Sequence, residues 1–566
     1  MGVSGRSAWV RSARGTCPEV TDSRPIVGVW IGARVSLATM EHTTWARGWS
    51  FACAVAVVAA AAAIAVPPSA IAGGSACDAA PAAARAVLQG GRAPAGAPWR
   101  YEMGLRVRAM ERAFLAERDP AARARVVRDV ENAVSGFFRG ALADSANALD
   151  RARVRLADAH AAPHPAGVFA VHFAPRIGDV DTDIATLRIE LLPGGDLSEL
   201  GGASFQWRIA PGALALENFT VVAALPGTDW SRTPLSDPMA LELRLPPMAD
   251  ASPSADVTVE FGFGSQDLGF FTGQRTFQRV PHLVDRLAAL KTLLAASANR
   301  PALALERDTA RGLLELIAGL CAGEATELDI DAAGELARAE TFAAADARGE
   351  RVLLPSASGS GDQCLYRGTS PARFFAPTGL DPSTPRPLVV ALHGMGGCEN
   401  LFFDGHGGGL VVELARQRGW MVLAPRLELF GKTDIAGWID TVAERWPVDR
   451  DAVFLIGHSM GAAAALREAR RAPERYGALA LLGGGSAVEA GQELFAMPIL
   501  IAAGARDFAR SGASSLAHAL ARAGHPQTIH AVIPDCEHLL VVPLALRPAF
   551  ALFDGAARAR STSGGH

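Results

Sequence analysis

Lysine is nearly missing from this chain: of 54 basic residues only Lys291 and Lys432 are lysine and the rest are arginine. We read this as a bias of composition rather than a sign of function. No basic stripe stands out either. The 58 acidic residues are interspersed with the basic ones and the net charge is −4, so the electrostatic footprint that a nucleic-acid partner requires is absent. Cysteine is sparse, seven in 566 residues, with no CxxC pair and no His/Cys cluster at zinc-ligand spacing. Neither a metal nor a cofactor is expected. No repeat of roughly 40 to 50 residues is visible, which argues against a β-propeller.

What is present begins with an apolar segment. Phe51 to Val66 is an unbroken run of 16 residues, short of the roughly 20 that span a bilayer. Pro67, Pro68 and the small residues Ser69, Ala70, Ile71 and Ala72 follow it. This is the pattern of a signal peptide cleaved after Ala72, and the chain is expected to be exported. Met40, with Arg47 just ahead of the apolar core, opens a more ordinary signal peptide than Met1 does, and residues 1–72 are read as leader and signal. Gly74 stands where a lipobox wants leucine, against a lipid anchor on Cys77. A membrane partner is expected only if the signal is retained.

The chain is too long for one ordinary core, and its periodicity changes several times. Residues 79–162 are helical: Val127, Val130, Val134, Phe137, Phe138 and Leu142 form a stripe at three- and four-residue spacing, expected to pack a structural layer. Residues 165–279 alternate with period two, as in Phe169, Val171 and Phe173 or Val257, Val259 and Phe261, and predict an antiparallel β-sandwich. Asp179, Asp181 and Asp183 do not complete a calcium loop, because Ile184 stands where its glycine belongs. Helical spacing returns over 281–354. A small, polar linker, Pro355 to Gln363, then precedes the last domain, 364–566.

That domain alternates buried runs with helical segments. Leu388–Leu392, Trp420–Ala424, Ala452–Gly457, Ala478–Leu482 and Ile499–Ala503 read as parallel strands, and Thr528–Ile533 as a sixth. Right-handed crossovers put their C-terminal ends on one edge, where chemistry is expected. The decisive stretch is Val453–Ala469. A strand runs into Gly457-His458-Ser459-Met460-Gly461, and a helix begins at once. A turn this tight needs glycine on both sides of the serine, and it lifts Ser459 Oγ above the sheet as a nucleophile. After the first strand comes His393-Gly394-Met395-Gly396-Gly397. The N–H groups of Met395 and Met460 are the candidate oxyanion donors, with His393 bracing the loop. Asp507 follows a later strand and can orient an imidazole, with Asp535 as its rival. His538 follows the last strand as the candidate general base, ahead of His525 and His530. A Cys398–Cys536 bridge is conceivable, since both cysteines flank these loops.

LVVALHGMGG, WPVDRDAVFLIGHSMG, GARD and CEH together resemble the α/β-hydrolase superfamily. Within it they are similar to extracellular esterases related to polyhydroxybutyrate depolymerases and feruloyl esterases, and to the catalytic domains of prolyl-oligopeptidase-type peptidases. The resemblance covers Cys364 to the C-terminus only. It implies that Ser459, Asp507 and His538 form a triad, with Met395 and Met460 as oxyanion donors and an ester-bearing small molecule or polymer as substrate. A peptidase, and an exported binding protein that keeps the fold without catalysis, are the alternative readings. No room for a large lid exists between Gly483 and Ile499, so the site is expected to be rather open or to be covered from elsewhere, with the N-terminal sandwich and helices as the available cover.

Overall fold

The computed structural model describes residues 98–563, apart from 161–164, 197, 199–202, 211–219, 223, 226, 248–255, 266–268, 298–303, 325, 328, 353–361, 429–432 and 486–491. The leader, Met40, the Phe51–Val66 run, the cleavage site, Cys77 and residues 79–97 of the helical region lie outside the described residues.

Three helices come first: α1 (Pro98–Ala116), α2 (Pro120–Arg139) and α3 (Leu142–Ala157). Asp119 caps α2 by accepting from the N–H groups of Ala121 and Ala122, and Gly140 ends it in the left-handed conformation at φ 74°. Nine strands follow among the described residues: β1 (Phe169–Phe173), β2 (Ile177–Asp179), β3 (Ile184–Leu191), β4 (Ser204–Ile209), β5 (Thr220–Val222), β6 (Ser231–Pro234), β7 (Met239–Arg244), β8 (Val257–Ser265) and β9 (Gly269–Val280). They form a three-stranded sheet, β1-β3-β7, and a six-stranded one containing β2-β9-β8-β4-β6 with β5 on β9.

Aromatic rings join the two sheets. Phe169 stacks on Phe263 at 4.8 Å and Phe173 meets Phe277 edge-on at 5.4 Å. Two details depart from a simple antiparallel pattern with one buried face. β2 runs parallel to β9, being too distant in sequence for the hairpin constraint that makes neighbours antiparallel. β1 is buried on both faces, because α1 packs against it. The acidic turn has a structural role: Asp179 Oδ1 accepts from the N–H groups of Val180 and His282.

Helices α4 (Leu283–Ser297), α5 (Ala304–Cys321) and α6 (Ala332–Arg348) lead to the largest sheet. Its strands are β10 (Asp362–Arg367), β11 (Ser370–Phe375), β12 (Arg386–Leu392), β13 (Met421–Pro425), β14 (Val448–His458), β15 (Ala478–Leu482), β16 (Ile499–Gly504) and β17 (Thr528–Ile533). Their order is β10-β11-β13-β12-β14-β15-β16-β17. The hairpin β10–β11 is antiparallel and β12 to β17 are mutually parallel. Between them lie α7 (Leu401–Asp404), α8 (His406–Arg416), α9 (Ile435–Ala443), α10 (Met460–Arg471) and α11 (Arg510–Ala523), and α12 (Val541–Ser563) closes the chain.

Period-two geometry divides the interior in two. Val389 and Ala391 on β12 face one core, which also takes Phe454 and Ile456, the apolar faces of α8 and α12, helices α1–α3 and the two smaller sheets. Leu388, Val390 and Leu392 face the other, shared with Val453, Leu455, α9–α11 and α4–α6. Each face of the large sheet is therefore completed in part by N-terminal elements. The described residues all fall within one compact unit.

Candidate functional site

The turn from β14 into α10 holds Ser459 at φ 55°, ψ −116°. A non-glycine residue in this region is strained and persists only where its surroundings enforce it. Here the enforcement is steric. A Cβ on Gly457 would lie 2.2 Å from the Gly461 carbonyl oxygen, and one on Gly461 would lie 2.0 Å from that of Leu392. Both flanking glycines are thus required by backbone packed against them. Ser459 N–H donates to Leu482 O at 2.9 Å, tying the turn to β15. The Ser459 hydroxyl does not cap the helix, and Ser459 lines a cavity together with His538.

His538 lies on the loop after β17. Its Nδ1 is 2.9 Å from Asp507 Oδ1, with both residues buried. Asp507 follows β16, and its Oδ1 also accepts from Ala509 N–H at 2.8 Å. Gly483, at the end of β15, makes room for the pair, since a Cβ there would sit 3.0 Å from Asp507 Oδ2 and 3.2 Å from His538 Nδ1. The loops after three parallel strands therefore bring Ser459, Asp507 and His538 to one sheet edge. Asp535 is exposed at φ 44°, His525 hydrogen-bonds Leu494 O, and His530 lies exposed on edge strand β17.

His393 holds two loops together. Leu427 N–H donates to its Nε2 at 2.8 Å, so the proton is on Nδ1, which donates to Gly394 O at 2.8 Å. Burial keeps its pKa below the usual imidazole value. Met395 lines the cavity on the loop that His393 braces. Met460 is the first residue of α10, so its N–H has no partner within the helix. Among the described residues no backbone bond outside the helices and strands takes the Met395 N–H.

Several contributing residues were not legible in the sequence. His458 Nε2 donates to His538 O at 2.9 Å, and burial pushes the pKa of this imidazole well below its ordinary value. Phe508, 58 % exposed, lies on the His538 ring at 4.1 Å. Glu537 accepts from the N–H groups of Leu539 and Leu540 at 2.8 Å each. Burial raises its carboxyl to about 8.

The cavity, about 170 Å³, is roofed by the N-terminal helices. Of the apolar stripe on α2, Val127 and Val130 are core residues as expected, but Val134, Phe137 and Phe138 face the cavity. At this end of the helix the stripe passes from the core to the site: Phe137 meets Trp99 and Phe138, and Phe138 meets Phe508, so these rings are only half-buried and line the cavity between α2 and the loops of the large sheet. The two smaller sheets supply no lining residue among those described. Arg100 on α1 fastens this roof: it donates to Gly396 O at 3.0 Å and pairs with Glu327, which also contacts the Cys398 thiol. No Cys398–Cys536 bridge forms. Both thiols are free and buried: Cys398 contacts Glu327 from the segment between α5 and α6, and Cys536 donates to Glu537 O at 3.3 Å.

The chain has a structural likeness to several solved proteins. Among solved structures it is similar to a ferulic acid esterase (16 % identity over 33 % of this chain and 92 % of that one, TM-score 0.29). It is also similar to an S-formylglutathione hydrolase from Staphylococcus aureus (16 %, 32 % and 92 %, TM-score 0.28) and to a thermostable esterase (15 %, 68 % and 98 %, TM-score 0.32). No protein-family model and no curated protein sequence matches the chain.

Proposed function

We propose that this protein is an exported serine hydrolase that cleaves carboxylic esters through an acyl-enzyme. One observation carries the reading: a strained, half-buried serine shares a cavity with a histidine whose Nδ1 lies 2.9 Å from a buried aspartate. Ser459 Oγ attacks the ester carbonyl carbon while His538 Nε2 takes the hydroxyl proton. Asp507 fixes the imidazole tautomer and stabilises its charged form. The tetrahedral oxyanion accepts from the N–H groups of Met395 and Met460, each such donor being worth roughly 10²–10³ in rate. The C–O bond to the alcohol then breaks, and the alcohol leaves with the proton from His538. Water, deprotonated by His538, attacks acyl-Ser459; the acid departs and Ser459 regains its proton. No metal or cofactor enters these steps.

The test is hydrolysis of a panel of p-nitrophenyl acyl esters and a prolyl p-nitroanilide by wild type and Ser459→Ala. Ester turnover that disappears in the variant is the expected result. Turnover of the anilide alone would move the assignment to a peptidase, and turnover of neither would favour a binding role. Export belongs to the same proposal: the secreted or periplasmic protein should begin at Gly73 on N-terminal sequencing.

A further inference from the structure

Most of the cavity wall beside Ser459 comes from outside the sheet that carries the chemistry. Met103 and Val107 on α1, Val134 and Phe137 on α2, Leu149 on α3 and Leu401 on α7 give it an apolar surface. Arg100, Arg108 and Asn400 at its rim are engaged with the protein, while the buried His406 in its wall has no hydrogen-bond partner on either ring nitrogen. Arg100 holds Gly396 O and Glu327, Arg108 donates to Glu327 O at 3.2 Å, and Asn400 holds the Cys398 sulfur and Arg373. The wall offered to a substituent is therefore mainly apolar.

The cavity also has a direction. One wall is the loop Gly394–Gly397, which carries the proposed oxyanion donor Met395, and the Phe137 ring packs so closely on it that a Cβ at Gly396 would fall 2.5 Å from the ring. Beside His538 the site reaches solvent at Phe508, which covers the His538 ring, meets the cavity-lining Phe138 edge-on at 5.6 Å and is 58 % exposed. A leaving alcohol that takes its proton from His538 therefore departs past Phe508 to solvent, and the acyl group lies under the helices.

We propose that the cavity beneath α1–α3 is the acyl pocket and that it selects esters of short apolar acids, a linear or branched chain of a few carbons or a single aromatic ring. The proposal rests on the reading of Ser459 as the nucleophile. Size sets the limit: about 170 Å³ is below the roughly 300–1,000 Å³ of pockets that take drug-sized ligands. Chain length is then read by α1 and α2, so the N-terminal helices determine specificity without touching the reacting atoms. Val134 and Met103 are the residues placed to set it.

The experiment uses the mature protein and two ester series: p-nitrophenyl esters from acetate to dodecanoate, and acetates of alcohols of increasing length. In wild type, kcat/KM should peak at a short or medium acyl chain and fall for dodecanoate, since a methylene that does not fit its pocket costs roughly 10–200-fold. Val134→Phe should lower the hexanoate-to-acetate ratio of kcat/KM at least tenfold, whereas Met103→Ala should move the optimum to longer acyl chains. Neither should alter the ranking of alcohols. Far-UV circular dichroism and thermal melts identify any variant that fails to fold, and the two substitutions act in opposite directions, so either one suffices. An unchanged acyl profile in a folded, active variant, or a shift in the alcohol series instead, overturns the pocket assignment alone. Loss of all Ser459-dependent turnover in wild type overturns the nucleophile reading and the pocket with it.

Discussion

His538 is held from three directions: by Asp507 at Nδ1, by His458 at its backbone carbonyl and by Phe508 over the ring face. The first of these contacts carries the chemistry. Asp507→Asn should lower kcat on the order of 10³–10⁴-fold with little change in KM, because an amide can leave the imidazole in the wrong tautomer while substrate contacts persist. A fall of less than about tenfold in steady-state kinetics would mean that another acid, such as the exposed Asp535, serves the histidine. Glu537 supports the same loop from inside. Its carboxyl is raised from the ordinary 4.5 to about 8, so between these values the folded chain holds a proton that the unfolded chain has released. Stability through this group must therefore fall as pH rises from 4.5 to 8. Glu537→Gln removes the titration and should flatten that decline in melting temperature, although it forfeits one backbone hydrogen bond and melts lower at pH 5. An unchanged pH slope would show that Glu537 is ionised in the folded protein.

At the scale of elements, the β14–α10 turn is the feature on which the site depends. Gly461→Ala would drive a methyl group to 2.0 Å from a backbone oxygen, and it should give protein that is inactive or insoluble. Gly555→Ala is the contrast: exposed in α12 with nothing within 4 Å of its added Cβ, it should stabilise by about 0.5–1 kcal/mol. Thermal melts of the two variants check both. This turn was legible in the sequence because its constraint is local: strand, glycine spacing and helix are all written within Val453–Ala469. The parallel strands were legible for a similar reason, since burial on both faces leaves continuous apolar runs. The hairpin β10–β11 was not, because its residues mix polar and apolar types at a sheet edge. Nor could the sequence show that Val134 and Phe137 roof a cavity while Val127 and Val130 fill a core. All four share one helical period, and only the tertiary position of the helix separates them.

At the scale of the whole molecule, the cores do not respect the boundaries that periodicity marks. Helices α1–α3 share a core with one face of the large sheet, and α4–α6 share the other. Buried ion pairs tie these layers together. Glu102 on α1 meets Arg275 on β9 at 2.6 Å and Arg106 at 3.0 Å, all nearly without solvent contact. Glu102→Ala leaves two buried guanidinium groups short of a partner and should cost about 3–5 kcal/mol in urea denaturation. Because the same core reaches the catalytic sheet, ester turnover and helical signal should be lost at one midpoint; turnover that outlasts the helical signal would mean that the sheet folds independently. By contrast the exposed pair Arg506–Glu131, at 2.5 Å, links α2 to the Asp507 loop and should contribute no more than about 1 kcal/mol, less at high salt.

The central claim, that Ser459 is a nucleophile activated by His538, is tested most directly by treating the mature protein with a fluorophosphonate and reading the product by intact and peptide mass spectrometry. One phosphonyl adduct per chain is expected, located on Ser459, absent in Ser459→Ala and formed far more slowly in His538→Ala. An unlabelled wild type, or an adduct on any other serine, would contradict it.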